Sequence, residues 1–308
     1  MTYLYLLAGE NLELAEAELR GFLRSQGIEE ELQREGRIAE TESHPDRLKR
    51  LALTHEIAEK IAEIDLENIE VDYRPENSFA VRVENLREEN VESKDLEREI
   101  GQELKTESNS VDLEDPGEII KAYVTEDGIL LGRIVEDIDR GLFQKRVNQE
   151  RPFSSPISLD PVLARTMVNL SEVSAGERLL DPFCGTGGIL IEAGLCGVDV
   201  YGLDIQEEMV DGAKENLREY GILSYSILQG DVDNAEEIFN GSFDAVVTDL
   251  PYGKASKKPE DAIDSFINLL EEFDGKAVFM YNEEEVGPYS ADYEIYVHKS
   301  LTRYLYVV

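Results

Sequence analysis

The sequence predicts an α/β chain: smaller α+β units come first, then a doubly wound, mostly parallel sheet that ends in an antiparallel hairpin. Three observations carry this expectation. From residue 178 onward, short apolar runs alternate with helical stretches, which is the pattern of a parallel sheet covered on both faces. A glycine-rich stretch, Asp181-Pro182-Phe183-Cys184-Gly185-Thr186-Gly187-Gly188, follows the first of these runs. Finally, Tyr293 to Val297 and Tyr304 to Val308 are separated by too few residues for a crossover helix, so they should pair antiparallel.

The elements follow in order. Tyr3 to Leu7 reads as a first strand, and Leu12, Ala15, Leu19, Phe22 and Leu23 form the apolar stripe of a helix that stops near Gly27. A second helix is expected over Leu48 to Ile61, completing an α+β unit of residues 1–65. Phe79, Val81 and Val83 alternate as a strand, and Leu96, Ile100 and Leu104 repeat as a helix. Asp115-Pro116-Gly117 turns into two further strands, Ile119 to Val124 and Gly128 to Ile134, giving a second unit over residues 66–145. Residues 146–160, rich in proline and serine from Arg151 to Ser158, read as a linker. The third unit, residues 161–308, opens with a helix at Asp160-Pro161 that carries Leu163, Met167 and Leu170 on one face.

Composition narrows the class. No run of 18 or more apolar residues is present, so no membrane span is expected, and the early acidic residues argue against a secretory leader. Two cysteines are too few for a disulfide framework, and His44 and His55 stand too far from other ligands for a metal site, so a metal-free protein of a reducing cytoplasm is expected. The formal net charge is −37, dispersed along the chain, and arginines outnumber lysines. A solvated acidic coat suited to a salt-rich cytoplasm accounts for this. In about 1 M salt the Debye length falls to roughly 3 Å, and local charge decides which partners bind. Two local exceptions stand out: Arg140, Lys145, Arg146 and Arg151 against the single acid Glu150, and Lys254, Lys257 and Lys258.

In an open parallel sheet, ligands lie beyond the carboxyl ends of the strands where strand order reverses. Asp181 to Gly188 occupies that place, and Gly185, Gly187 and Gly188 let the backbone approach a ligand at a helix start. The loop lacks the Lys-Ser or Lys-Thr of a phosphate cradle. Asp204 ends the second strand, 19 residues after Gly185, where a carboxylate can accept both hydroxyls of a ribose. Asp231 ends the third strand, where an adenine amino group would need an acceptor.

The fourth strand ends Thr248-Asp249-Leu250-Pro251-Tyr252-Gly253. An exocyclic amine of a nucleobase is a poor nucleophile because its lone pair is delocalised into the ring. The Asp249 carboxylate and the Leu250 carbonyl can hold its hydrogens, and Tyr252 offers a face for stacking the base. No cysteine lies nearby for covalent attack on a pyrimidine carbon, and Cys184 reads as a small residue packed beneath the loop.

At this point the chain resembles class I S-adenosylmethionine methyltransferases with a Rossmann-like sheet. In the order of its units it is similar to archaeal THUMP-domain tRNA guanine-N2-methyltransferases, those acting at guanine 10 above all. The resemblance implies S-adenosylmethionine held by Asp181, Phe183, Gly185, Thr186, Gly187, Asp204, Ile205, Asp231, Val232 and Asp249, with Asp249, Leu250, Pro251 and Tyr252 catalytic. It further implies a ferredoxin-like unit at residues 1–65 and a THUMP module at residues 66–145 that grips tRNA. Arg140, Lys145, Arg146, Arg151, Lys254 and Lys257 become candidate RNA contacts. A monomer is expected, with room for an accessory subunit. The same motifs fit methylation of another tRNA guanine or of ribosomal RNA, and a non-catalytic RNA-binding protein is the alternative of a different class.

Overall fold

The computed structural model describes residues 1–155, 158–251, 259–298 and 301–308. The chain divides into two compact units: Met1–Glu16, Ile28–Lys49 and Leu53–Asp139 form one, and Ala17–Gly27, Arg50–Ala52 and Arg140–Val308 the other.

The first unit contains strand β1 (Tyr3–Leu7), the opening of helix α1 (Leu12–Arg24), β2 (Gln33–Glu35), β3 (Ile38–Thr41), β4 (Thr54–Ile64), β5 (Ser78–Asn85), α2 (Ser93–Leu104), β6 (Ser110–Val111), β7 (Glu118–Val124) and β8 (Ile129–Asp137). All eight strands share one sheet in the order β2-β3-β1-β4-β8-β7-β5-β6. That sheet continues across residue 65, where the sequence suggested a boundary between units.

The helix expected over Leu48 to Ile61 is instead a three-residue 3₁₀ turn followed by β4. The spacing of Ile57, Ile61 and Ile64 imitates a helical stripe. In the fold, β4 is a central strand, antiparallel to β1 on one side and β8 on the other, and its pairing with β8 shifts register at Ile57/Ala58 and at Lys60/Ala62. Each shift interrupts the period of two that marks a strand, so pairing with both neighbours overrode a misleading local pattern. The β2–β3 hairpin, turned at Gly36 with φ +54°, was not anticipated.

The second unit continues through α3 (Gly141–Gln144), α4 (Pro161–Leu170), β9 (Arg178–Asp181), α5 (Gly188–Leu195), β10 (Asp199–Asp204), α6 (Glu207–Glu219), β11 (Tyr225–Gln229), α7 (Ala235–Phe239), β12 (Ala245–Asp249), α8 (Pro259–Glu272) and β13 (Lys276–Tyr281). The short hairpin β14 (Glu285–Val286) and β15 (Tyr289–Ser290) precedes β16 (Tyr293–His298) and β17 (Leu301–Val307). The main sheet has the order β11-β10-β9-β12-β13-β17-β16. Its first five strands are parallel, β17 runs antiparallel to β13, and β16 pairs antiparallel with β17, as the sequence predicts for that pair. Asp160 caps α4 by accepting from the Val162 amide, with Pro161 at the first helical position.

A buried acid fixes α5, the helix that begins at the glycine-rich loop. Glu192 is fully buried. Arg146 Nε and Nη2 donate to it at 2.6 and 3.1 Å, and Arg165 Nη2 from α4 lies 2.8 Å away. A second buried set holds α4: Arg50 Nε donates to Asn169 Oδ1 at 2.6 Å, and Asn169 Nδ2 donates to Glu18 Oε1 at 2.8 Å.

Removing one partner of a buried ion pair leaves the other charge desolvated and costs about 3–5 kcal/mol. Glu192→Leu, which strands two guanidinium groups, should lower unfolding stability by that order, read as a reduced denaturant midpoint at unchanged slope.

Candidate active site at the carboxyl ends of the parallel strands

Strand order reverses between β9 and β12, because β10 and β11 step away from β9 on one side while β12 and β13 lie on the other. Just beyond the carboxyl ends of these strands lies a cavity of about 700 Å³, within the usual size range of small-molecule sites. Its wall includes Asp181, Phe183, Gly185 and Thr186 from the loop, Asp204 and Ile205 after β10, Asp231 and Val232 after β11, and Asp249, Leu250 and Pro251 after β12. Of the residues expected to hold the cofactor, Gly187 is the one that does not line the cavity. It caps α5 at φ +80°, where an added Cβ would sit 3.3 Å from Ala213 Cβ. Gly185 has φ +49° with open space beside it, so backbone conformation rather than room calls for glycine there. Cys184 is buried under the loop, its thiol pushed up by burial, and it packs against Gly202 of β10.

The acids of the wall differ in how they are held. Asp204 accepts from the Gly185 amide at 3.1 Å and from the Gln206 amide at 2.8 Å, which fixes its carboxylate beside the loop, and burial raises its pKa. Asp231 is exposed and caps the turn Val232–Asn234. Asp181 is buried and accepts from Thr248 Oγ1 at 2.6 Å and from the Phe183 amide at 3.2 Å. Burial dominates these hydrogen bonds and pushes its pKa up to about 7. Asp249 is paired with Arg303 Nη2 from β17, a contact that draws its pKa down against the larger effect of burial.

Leucine at 250 has a structural reason. Its amide donates to the Met280 carbonyl of β13 at 2.9 Å, a bond that proline could not make, and its side chain is wholly buried in the core of this unit. The sheet therefore fixes the backbone of this turn.

The serine- and proline-rich stretch expected as a linker forms part of the wall, with Ser155, Ser158 and Leu159 facing the cavity. Asn216 of α6 holds it in place, accepting from the Phe153 amide and donating to the Phe153 and Thr186 carbonyls, each at 2.9 Å. The Phe153 ring fills the notch left by Gly212.

The expected RNA contacts separate. Arg146 is committed to Glu192, and Arg151 is buried, with Nη1 donating to Ser158 Oγ and Nε to the Arg146 carbonyl. These two are internal ties rather than the phosphate-facing cations expected of them. Arg140 is half-buried and Lys145 is exposed. Tyr252, Lys254 and Lys257 lie outside the described residues.

Arg303 is a site residue not foreseen from the sequence, where the last strand is expected to start at Tyr304, whereas β17 begins at Leu301. A lone cation in the apolar run Leu301 to Val308 was the available signal. Met209 of α6 and Asp261 and Ser265 of α8 also line the cavity without having been foreseen.

Residues 148–285 match the RMKL-like methyltransferase domain family. Over its whole length the chain is 38% identical to the tRNA (guanine(10)-N2)-dimethyltransferase of Methanothermobacter thermautotrophicus, covering 99% of that protein. It is 39% identical over 250 residues to the protein of the same name from Pyrococcus abyssi, a match spanning 75% of this chain and 74% of that one. Its fold is similar to that of TrmN from Thermus thermophilus, with a TM-score of 0.54 at 19% identity and 100% and 99% of the two chains covered.

Asp181 has a folded pKa of about 7 against an ordinary 3.8, so the folded state binds its proton more tightly than the unfolded state does. Its contribution to stability therefore falls as pH rises from about 4 to 7 and is level above that. Asp181→Asn keeps an acceptor for Thr248 and the Phe183 amide without the charge. Its melting temperature should gain on that of the wild type across this window, and an unchanging difference would contradict the assignment.

Proposed function

Because the chain belongs to the tRNA (guanine(10)-N2)-dimethyltransferase family, we propose that it transfers methyl groups from S-adenosylmethionine to the exocyclic N2 amine of guanine 10 in tRNA. The observation that carries this reading is Asp249, which stands at the strand-order switch, on the cavity wall shared with the glycine loop, with one carboxylate oxygen engaged by Arg303.

The wall fits the adenosyl cofactor. Asp204 is pre-oriented by two main-chain amides toward a ribose, and the exposed Ile205 and the buried Val232 are the apolar residues beside it for a purine, with Asp231 as the acceptor for its amino group. When bound, S-adenosylmethionine supplies an electrophilic methyl on a sulfonium sulfur. The chain's own part is positioning. Asp249 and the Leu250 carbonyl accept the two hydrogens of the guanine amine and turn its lone pair out of conjugation, and Tyr252 stacks on the extruded base. After one methylation and loss of a proton the amine keeps a single N–H. A second transfer therefore needs only one of the two acceptors.

In this reading, residues 1–65 are a ferredoxin-like unit and residues 66–145 a THUMP module that grips the tRNA, with Arg140, Lys145, Lys254 and Lys257 as phosphate contacts. No described helix is long and apolar enough to cross a membrane. The enzyme works as a metal-free monomer in a reducing, salt-rich cytoplasm, a placement supported by its net charge of −37 and by having only two cysteines, both buried.

The test is transfer of labelled methyl from S-adenosylmethionine to an unmodified tRNA transcript in high salt, followed by mapping of the labelled nucleotide. Label at guanine 10, lost when that guanine is replaced, is the expected result. Label on ribosomal RNA and none on tRNA would reject the substrate. Asp249→Ala should lower the single-turnover rate at saturating cofactor by about 10²-fold or more, because it misplaces the reacting nitrogen.

A further inference from the structure

Arg303 reaches Asp249 through a consequence of topology. In a parallel sheet every strand ends at the active-site edge, so the residues there come from strand ends and the loops after them. An antiparallel strand starts at that edge. The registers state the geometry: Asp249 of β12 stands opposite Met280 of β13, Met280 opposite Leu305 of β17, and Tyr281 opposite Tyr304. The opening residues of β17 therefore lie level with the end of β12, one strand away, and Arg303 spans that strand to meet Asp249.

The guanidinium is built in rather than draped over the surface. Its side chain is 5% exposed, its Nε donates to the Tyr281 carbonyl of β13 at 3.4 Å, and its Nη2 donates to Asp249 Oδ1. The carboxylate it holds is 18% exposed, and Asp249 lines the cavity. With Oδ1 on the guanidinium, Oδ2 is the oxygen left for a donor arriving from the cavity.

Resting on the methyl-transfer reading above, we infer that Arg303 is a positioning residue of the reaction: it clamps Asp249 through Oδ1, presents Oδ2 to the target amine and keeps the carboxylate in the acceptor-only form that amine requires. A protonated Asp249 would offer a hydrogen where the amine needs a lone pair. Among the described residues, Arg303 on β17 pairs with Asp249, Asp181 at the end of β9 is electrostatically coupled to it, Tyr281 follows its register partner Met280 on β13, and Asp261 on α8 lines the same cavity. Arg303 is the cation of this set. Burial favours protonation of Asp249, and Arg303 opposes it. Without the guanidinium the carboxyl takes up its proton at higher pH, so the acid limb of the rate profile moves to higher pH.

The experiment compares wild type, Arg303→Met and Arg303→Lys in full-length protein, measuring S-adenosylmethionine and tRNA affinity, single-turnover rate against pH, and titration of the Asp249 carboxyl by ¹³C NMR. Arg303→Met should keep both affinities, lose about 10²-fold in rate, the scale of a small misplacement of reacting groups, and shift its acid limb upward. Arg303→Lys keeps the charge but cannot bridge Asp249 and the Tyr281 carbonyl together, so it should hold the wild-type acid limb at a reduced rate. Combining Arg303→Met with Asp249→Asn should cost no more than Asp249→Asn alone.

A wild-type rate and pH profile in Arg303→Met would overturn the inference, as would a rate loss fully matched by lost cofactor affinity and a lowered melting temperature. Should the methionine variant fail to fold, the lysine variant decides: a wild-type rate there would overturn the clamp, and a reduced rate with an unmoved acid limb would support it. The NMR titration needs no RNA. An inactive wild type with an Arg303-dependent Asp249 titration would reject the substrate reading and leave the clamp standing, whereas an active wild type with an Asp249 titration indifferent to Arg303 would reject the clamp alone.

Discussion

Buried charge in a chain short of cations is the constraint on which the second unit depends. The protein has 30 lysines and arginines against 67 acids, so cations are too few to pair with even half of the carboxylates. An acid taken inside must be neutralised, because an isolated buried carboxylate costs several kcal/mol even after relaxation. The cations available are accordingly drawn inward. Arg146 and Arg165 close on Glu192, Arg50 binds Asn169 beside Glu18, and Arg303 closes on Asp249. In concentrated salt this allocation is also the effective one. Surface pairs are screened over about 3 Å at 1 M, while a contact pair inside the protein is screened far less.

Each tie bears on the cavity. Glu192 sits one turn into α5, so the pair of arginines on it sets where the amino end of that helix, and with it the glycine loop, can lie. Asn216 ties the other side, linking the Thr186 carbonyl to the stretch around Phe153. The loop is thus held from the helix that follows it and from the wall that faces it. A backbone held from both sides is the arrangement a positioning catalyst needs.

Much of this was legible in the sequence where the local pattern and the final environment agree. Strands β9 to β13, the capped start of α4, the loop at Asp181 and the acid at 204 are all read from periodicity, from Asp160-Pro161 and from spacing. The misses share one cause, long-range pairing that leaves no short-range trace. The apolar residues of β4 lost their alternation to two register shifts. The cluster from Arg140 to Arg151 looked like a basic surface because the acid that consumes Arg146 lies 46 residues later. Nothing local shows that the Leu250 amide is received by a carbonyl of another strand. Arg303 fell in an expected turn, and only the register of β17 on β13 brings it within reach of Asp249.

Asp181 and Asp249 illustrate what that register achieves. Asp181 is buried and Asp249 half-buried at the carboxyl ends of neighbouring strands, and the charge of Asp249 raises the cost of charging Asp181. Two such carboxylates cannot both ionise freely, so their surroundings must separate them. Asp181 receives a hydroxyl and an amide, neutral donors that accommodate either protonation state. Asp249 receives a guanidinium, which favours only the anion. The guanidinium thus favours the charged form at Asp249, where an amine must be held, while the donors on Asp181, beside the loop, are compatible with its proton. The antiparallel ending of the sheet, visible in the sequence only as two runs too close for a crossover helix, is what brings Arg303 to Asp249.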